Sequence, residues 1–130
     1  MNPLAKISLG QFDVMAFAPT TDAARAVAFY RDTLGLTLIG QDGFAAAFDA
    51  HGIMLRVTSV PKPLTPQPFT VLGWKVPDIA TAVTGLAAAG VEFDRYMDSQ
   101  DELNIWTAPG GAKVAWFKDP DGNILSITQF

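Results

Sequence analysis

The sequence contains no cysteine and a single histidine, His51, among its 130 residues. Without cysteine the chain can form no disulfide, can offer no thiolate to a metal and has no cysteine nucleophile. Its nine Lys and Arg residues are outnumbered by thirteen Asp and Glu, and the net charge is -4. The basic residues are scattered and form no patch for phosphates, so we expect no nucleic-acid partner.

The sequence also lacks a long apolar run. No stretch approaches the ~18 consecutive apolar residues that a membrane helix requires, and the first ten residues form no leader-like segment. The hydrophobic content of 49% and the charged content of 17% are typical of a globular domain. We therefore expect a cytoplasmic protein without a membrane partner.

One pattern occurs twice along the chain. Residues 22–34 place apolar side chains at i, i+3, i+4 and i+7, as in an amphipathic helix, and Gly35 follows as a stop signal. Residues 78–89 repeat the pattern and end at Gly90. Each helix pattern follows a strand pattern, over 12–17 and 69–76, and precedes three short strands separated by turns, the first of them in the second copy beginning at Val91. Both copies read as βαβββ, which predicts an α+β fold.

A proline-rich segment separates the two copies. It holds four prolines, which cannot join a sheet ladder and favour an extended connector. We predict module one at residues 7–60, the linker at 61–68 and module two at 69–130. A βαβββ unit of about 55 residues buries little surface by itself, so we expect both modules to share one core in a single domain, 1–130.

Two motifs within this repeat point to a known family. The sequence AFYRDTLGL from Ala28 to Leu36 and the closing FKDPDGNIL from Phe117 to Leu125 resemble the vicinal oxygen chelate superfamily, which includes glyoxalases, bleomycin resistance proteins and extradiol dioxygenases. The resemblance spans nearly the whole chain. It implies a curled, mixed eight-stranded sheet around a cavity with the helices outside, and a homodimer, as in many members.

Enzymes that this chain resembles hold one divalent metal through four strand residues, mostly His and Glu, two in each module. Counting from the helix caps and the last strand of each module, the matching positions hold Met15, Arg56, Val71 and Ser126. A thioether, a guanidinium, an isopropyl group and a hydroxyl make no hard divalent site. Gln11 and Asp13, the nearby polar residues before Met15, do not restore the site, and neither is a histidine. We therefore predict a member without a metal or another cofactor.

Strand alternation predicts which side chains share a face with these four positions. The predicted cavity residues are Asp13, Met15, Phe17, Met54, Arg56, Thr58, Val71, Trp106, Trp116 and Ser126. Arg56 has two interpretations: an anchor for a carboxylate or phosphate of the ligand, or an ion pair with Asp13 or another acid. Trp74 is expected to face the helices.

Two further segments carry weaker signals. His51 lies in a predicted hairpin turn, where we expect a solvated side chain rather than a catalytic base. The acidic group Asp98, Asp101 and Glu102 indicates an exposed loop, which is either a simple solvated connection or a lid over the cavity.

The leading hypothesis is a metal-independent binding protein for an apolar or aromatic molecule with a polar or anionic group. The alternative is an enzyme of the same superfamily, a lyase or dioxygenase that is metal-free or has a non-standard site, with Arg56, Asp13 or a tyrosine acting on a small oxygenated substrate. A third hypothesis is an interaction module whose cavity is filled by side chains. No catalytic residue is assigned.

Overall fold

The computed structural model describes residues 6–130. A short 3-10 turn at Leu9–Gln11 precedes module one. Module one contains β1 (Met15–Thr20), α1 (α-helical over Ala23–Val27 and π-helical over Ala28–Thr33), β2 (Thr37–Gln41), β3 (Ala45–Ala50) and β4 (Ile53–Ser59). Module two contains β5 (Thr70–Lys75), α2 (Ile79–Ala88), β6 (Trp106–Thr107), β7 (Lys113–Lys118) and β8 (Ile124–Gln129). The predicted α+β class and tandem βαβββ order are confirmed.

The strands form two four-stranded mixed sheets, one for each module. Their orders are β1-β4-β3-β2 and β5-β8-β7-β6. In each sheet the first pair is parallel and the other pairs are antiparallel. β1 and β5 are the edge strands that approach each other. The predicted single curled sheet of eight strands is not found: among residues 6–130, ladder hydrogen bonds join strands only within a module, so the eight strands form two four-stranded sheets.

Both helices begin and end as the sequence predicts. The Asp22 carboxylate accepts a hydrogen bond from the Arg25 N–H, and Asp78 caps α2 in the same way through Thr81. Gly35 and Gly90, with φ of +79° and +100°, follow the helices. The first helix spans 13 residues from cap to glycine (35 − 22) and the second spans 12 (90 − 78). The π-helical stretch of α1 accommodates this additional residue.

The strand predicted to begin at Val91 does not form. In its place residues 91–93 contribute one isolated bridge, between Phe93 and Phe117, and β6 is only two residues long. The backbone groups of the following loop bond instead to the side chains of Arg95 and Gln100. Side-chain hydrogen bonding therefore replaces a ladder in this part of module two.

One hydrophobic core contains residues of both modules. It includes Tyr30, Phe48 and Leu55 from module one, and Phe117 and Leu125 from module two, each at most 1% exposed. These side chains lie on the sides of the sheets that carry the helices. Within residues 6–130, no helix has the length and apolar content needed to cross a bilayer.

A buried tyrosine connects the two modules. The Tyr30 hydroxyl donates a hydrogen bond of 2.7 Å to an oxygen of Asp119, which is 5% exposed. Asp119 also accepts bonds from the backbone N–H groups of Asp121 and Asn123 and from the Asn123 side chain. Burial, with the charge of Asp119, raises the pKa of Tyr30, so the phenol stays neutral and remains a donor.

A second set of hydrogen bonds supports this connection at the end of β1. The Thr20 hydroxyl donates to Asp121 at 2.6 Å, and the N–H and hydroxyl of Thr21 both donate to Asp121 at 2.9 Å. The Asn123 side chain donates to the Pro19 carbonyl at 2.8 Å. The turn between β7 and β8 is thus tied to module one at several points.

Replacing Tyr30 by phenylalanine (Tyr30→Phe) removes only the hydroxyl that bonds to Asp119. Because that bond is buried and charge-assisted, we expect the free energy of unfolding to fall by about 1.5–3 kcal/mol, measured by urea denaturation. The control, Tyr96→Phe, removes a bond at an exposed phenol, and we expect a change below about 0.5 kcal/mol. Equal losses in both variants would contradict the role assigned to Tyr30.

Candidate functional site

The outer face of the first sheet, opposite the helices, carries five of the predicted cavity residues. Leu55 and Val57 of β4 point into the core and are at most 1% exposed, so the alternate residues of that strand point outward. Met54 and Arg56 pair with Met15 and Phe17 of β1. Thr58 follows on the same side. The face therefore consists mainly of apolar side chains around one guanidinium.

Arg56 has no acidic partner within the described chain. Its guanidinium forms no ion pair and donates no hydrogen bond to any group of residues 6–130, although the side chain is partly buried. Asp13 lies before β1 and is exposed, so the predicted ion pair between these two residues is not formed. The charge of Arg56 acts on the carboxylate of Asp42. Backbone N–H groups of Phe44 and Ala45 lower the pKa of that carboxyl, and Arg56 lowers it further by a smaller amount.

Aromatic side chains cover the outer face of the second sheet. Trp116 pairs with Ser126, and Trp106 pairs with Val114 two residues earlier on β7, which puts both indoles on one face. Their ring centroids are 6.0 Å apart. Tyr96 packs edge-on against Trp116 at 5.7 Å. We call Tyr96, Trp106 and Trp116 the aromatic cluster.

Val71 and Ser126 are the other two predicted cavity residues of the second sheet, and they are less exposed than the apolar side chains on the first sheet. Val71 lies where the register between β5 and β8 shifts by one residue, and it is 36% exposed. Ser126 is 9% exposed and faces Gly73 across the strand pair. A Cβ atom at Gly73 would lie only 2.7 Å from the Ser126 hydroxyl oxygen. Glycine is thus required at position 73, and the hydroxyl is mostly covered.

The loop over residues 94–104 is held in place by two side chains. Arg95 donates to the carbonyls of Asp98, Gln100 and Asp101 and to the Asn104 side chain. Gln100, which is 3% exposed, accepts bonds from the Tyr96 and Met97 N–H groups and donates to two carbonyls. A lid movement of Asp98, Asp101 and Glu102 would have to break this network.

The loop also supplies residues that the sequence analysis did not identify. Tyr96 joins the aromatic cluster, and its hydroxyl donates to Asp94 at 3.1 Å. Lys118 forms an ion pair of 3.3 Å with the same carboxylate. Burial, and then Asp94, raises the pKa of Tyr96. No periodic pattern marks this segment, so sequence spacing gave no signal for Tyr96.

The sequence analysis places Met15, Arg56, Val71 and Ser126 at the ligand positions of the family. These side chains offer one soft thioether, one hydroxyl and no carboxylate or imidazole, a set that does not suit a hard divalent ion. Within residues 6–130, no three His, Asp or Glu side chains come together as a set that could hold a metal ion.

Two pockets lie away from the outer faces. The smaller, of about 370 Å³, is at the N-terminal end of α2 and includes Asp78, Asp101 and Lys113. The larger, of about 810 Å³, lies between the modules on the helix side. We call it the inter-module groove. Its lining residues are Leu34, Leu36, Ala50, His51, Ile53, Gly73, Trp74, Lys75, Val76, Ala82, Gly85, Leu86, Phe117 and Ile127.

None of the ten predicted cavity residues lines either pocket. Nine of them lie on strands of the two sheets, and Asp13 precedes β1. Trp74 packs against the core, as predicted, and its other surface lines the inter-module groove. His51 is exposed in the turn between β3 and β4 with a φ of +54°.

The architecture and the sequence identify the family. The chain belongs to the Glyoxalase/Bleomycin resistance protein/Dioxygenase superfamily, whose family model matches residues 11–127. This confirms the family that the sequence motifs indicate. Among proteins with curated functions, none shows significant sequence similarity to this chain.

Solved structures share the fold at low sequence identity. A glyoxalase/bleomycin resistance protein/dioxygenase from Alicyclobacillus acidocaldarius superimposes with a TM-score of 0.71 and 16% identity, covering 92% of this chain and 91% of that one. One from Nocardioides gives 0.70 and 20%, covering 98% and 87%. Lactoylglutathione lyase from Agrobacterium tumefaciens gives 0.63 and 19%, covering 89% and 92%. At these identities the likeness shows the fold alone.

Replacing Gln100 by alanine (Gln100→Ala) removes the buried amide that bonds to four backbone groups of the loop. We expect the free energy of unfolding to fall by about 1–3 kcal/mol, because buried backbone groups lose their partners. Amide hydrogen exchange should become faster across residues 94–104. Ser99→Ala, at the exposed neighbouring position, is the control and should leave exchange unchanged. Unchanged exchange in Gln100→Ala would show that the loop does not depend on this side chain.

Proposed function

We propose that this protein binds an apolar or aromatic small molecule carrying a polar or anionic group, without the help of a metal. The observation that carries the proposal is Arg56. Its guanidinium has no partner within residues 6–130 and stands on a sheet face beside Phe17, Met15 and Met54.

The environment of Arg56 favours an anionic group. A partly buried guanidinium without a partner is unfavourable, because it gives up water without gaining a hydrogen bond. Its five donors match a carboxylate or phosphate, which can accept two parallel bonds. The neighbouring Met and Phe side chains suit the apolar part of the same molecule. The aromatic cluster on the second sheet offers ring faces and edges for packing against a planar ligand.

The donor set supports a metal-independent mode of binding. The four family ligand positions supply one soft sulfur and one mostly covered hydroxyl. The permanent positive charge of Arg56 at one of those positions repels a cation. The same charge attracts the anion that a metal would otherwise hold in place.

A second copy of this chain completes the site in this proposal. On a single chain the outer face is open to solvent, with Phe17 57% and Met15 45% exposed. Small-molecule sites are usually concave and enclose most of the ligand. An exposed apolar sheet face is typical of an association surface, and two-fold symmetric homodimers are the most common assembly.

Native mass spectrometry of freshly purified protein tests the proposal most directly. We expect a dimer that carries no metal but retains a few hundred daltons of added mass, in the size range of a small-molecule ligand. Stoichiometric divalent metal in the spectrum would contradict metal independence and favour the alternative, a lyase or dioxygenase of the superfamily. Loss of an activity on chelation and its return with added metal would lead to the same conclusion.

Replacing Arg56 by methionine (Arg56→Met) keeps the apolar stem and removes the charge. With naphthalene-2-carboxylate as the probe, we expect the affinity at the outer face to fall about tenfold or more. The methyl resonances of Met15 and Met54 report binding there. Arg31→Met, which removes an exposed arginine already paired with Asp32, is the control. Unchanged binding together with a large loss of stability would assign Arg56 a structural role instead.

A further inference from the structure

The inter-module groove occupies the position in module two where module one holds two aromatic rings. Asp78, the cap of α2, lies 56 residues after Asp22, the cap of α1 (78 − 22). Counted from these caps, Gly85 corresponds to Phe29; counted back from Gly35 and Gly90, the additional residue of α1 aligns Gly85 with Tyr30 instead. In either count Gly85 stands where α1 carries a large ring.

The aromatic pair of module one fills its side of the molecule. Phe29 packs edge-on against Tyr30 at 5.3 Å, and the Tyr30 hydroxyl reaches Asp119 in the turn between β7 and β8. On the other side, Gly85 and Leu86 face the shorter turn at His51, and all three line the groove. A Cβ atom added at Gly85 would meet no other atom within 4 Å. Gly85 therefore leaves open space in the groove, whereas α1 carries large rings on its side of the molecule.

The chemistry of the groove is that of a site for an aromatic acid. Its volume of about 810 Å³ lies within the usual range for small-molecule sites. Trp74 and Phe117 provide aromatic surface, which favours packing with another ring. Lys75 and His51 are the basic residues of the lining, which contains no acidic residue. The Lys75 ammonium lies over the Phe130 ring, 5.9 Å from its centroid, so it must turn toward the groove to meet a carboxylate there. The equivalent space in module one already accommodates aromatic rings.

We propose that the inter-module groove binds a small aromatic carboxylate, with its ring against Trp74 and its carboxylate near Lys75 and His51. This site is on the helix side and is separate from the outer faces that contain Arg56. It therefore does not depend on the function proposed above, and one probe can test both sites independently.

The three tryptophans distinguish the two sites in a single titration. Trp74 lines the groove, whereas Trp106 and Trp116 lie on the outer face of the second sheet. Their indole N–H resonances can be assigned by single Trp→Phe substitutions. On titration of the ¹⁵N-labelled protein with naphthalene-2-carboxylate, we expect a saturable shift of the Trp74 signal. The neutral naphthalene-2-carboxamide should shift it with lower affinity.

Filling the groove supplies the decisive variant. Gly85→Phe restores at this position the ring that Phe29 provides in module one, and we expect the Trp74 response to be lost. Gly85→Ala also raises the helix propensity but adds only a methyl group, and it should keep the response. Arg56→Met should also keep it, because that residue is on the other face.

A second variant tests the groove independently, in case Gly85→Phe does not fold. Lys75→Glu reverses the charge at the groove, and we expect the carboxylate to bind about 3- to 10-fold more weakly while the amide is unaffected. A Trp74 signal that does not respond to the carboxylate would overturn the proposal. So would a response that persists in Gly85→Phe, is unchanged in Lys75→Glu, or coincides with a change in subunit number.

Discussion

The hydrogen bond between Tyr30 and Asp119 is the contact on which the arrangement of the two modules depends. It joins groups 89 residues apart in the sequence. Burial strengthens this hydrogen bond but also removes the Asp119 carboxylate from water. The backbone N–H groups that Asp119 accepts from its own turn offset that loss of solvation. The turn thereby becomes rigid enough for Asp121 to receive Thr20 and Thr21 at the end of β1. The buried phenol, together with the bonds of Thr20, Thr21 and Asn123 and the shared core, holds the second sheet against module one.

The two modules follow the same order of elements but solve their packing differently. In module one, Phe29 and Tyr30 of α1 pack against each other, and Tyr30 bonds to Asp119 of module two. Both rings lie in the π-helical stretch that contains the additional residue. Module two has a glycine where α1 carries a large ring, and a groove remains. It also exchanges most of one strand for a loop in which Arg95 and Gln100 satisfy the backbone. The two modules therefore differ at the groove and at the loop that positions Tyr96.

The outer faces show a second physical constraint. Strand alternation directs every other residue away from the core, and here those residues include large apolar side chains and Arg56, which has no ion-pair partner within the described part of the chain. Contact of these apolar side chains with water is unfavourable. A ligand or a second copy of the chain would cover them. In the function proposed here, the charge of Arg56 disfavours a cation on this face and favours an anion.

The sequence by itself determined the repeat, the helix caps and glycine stops, the family and the facing of Met15, Phe17, Met54 and Arg56. These depend on local periodicity and on backbone conformations that few residues adopt. Tertiary structure alone decided that Arg56 has no carboxylate partner among residues 6–130, that Trp106 and Trp116 share a face with Tyr96, and that residues 91–93 form no strand. Each of these depends on contacts between residues distant in sequence, or on side chains that form hydrogen bonds with backbone groups in place of a strand ladder. Neither kind of interaction produces a periodic pattern in the sequence.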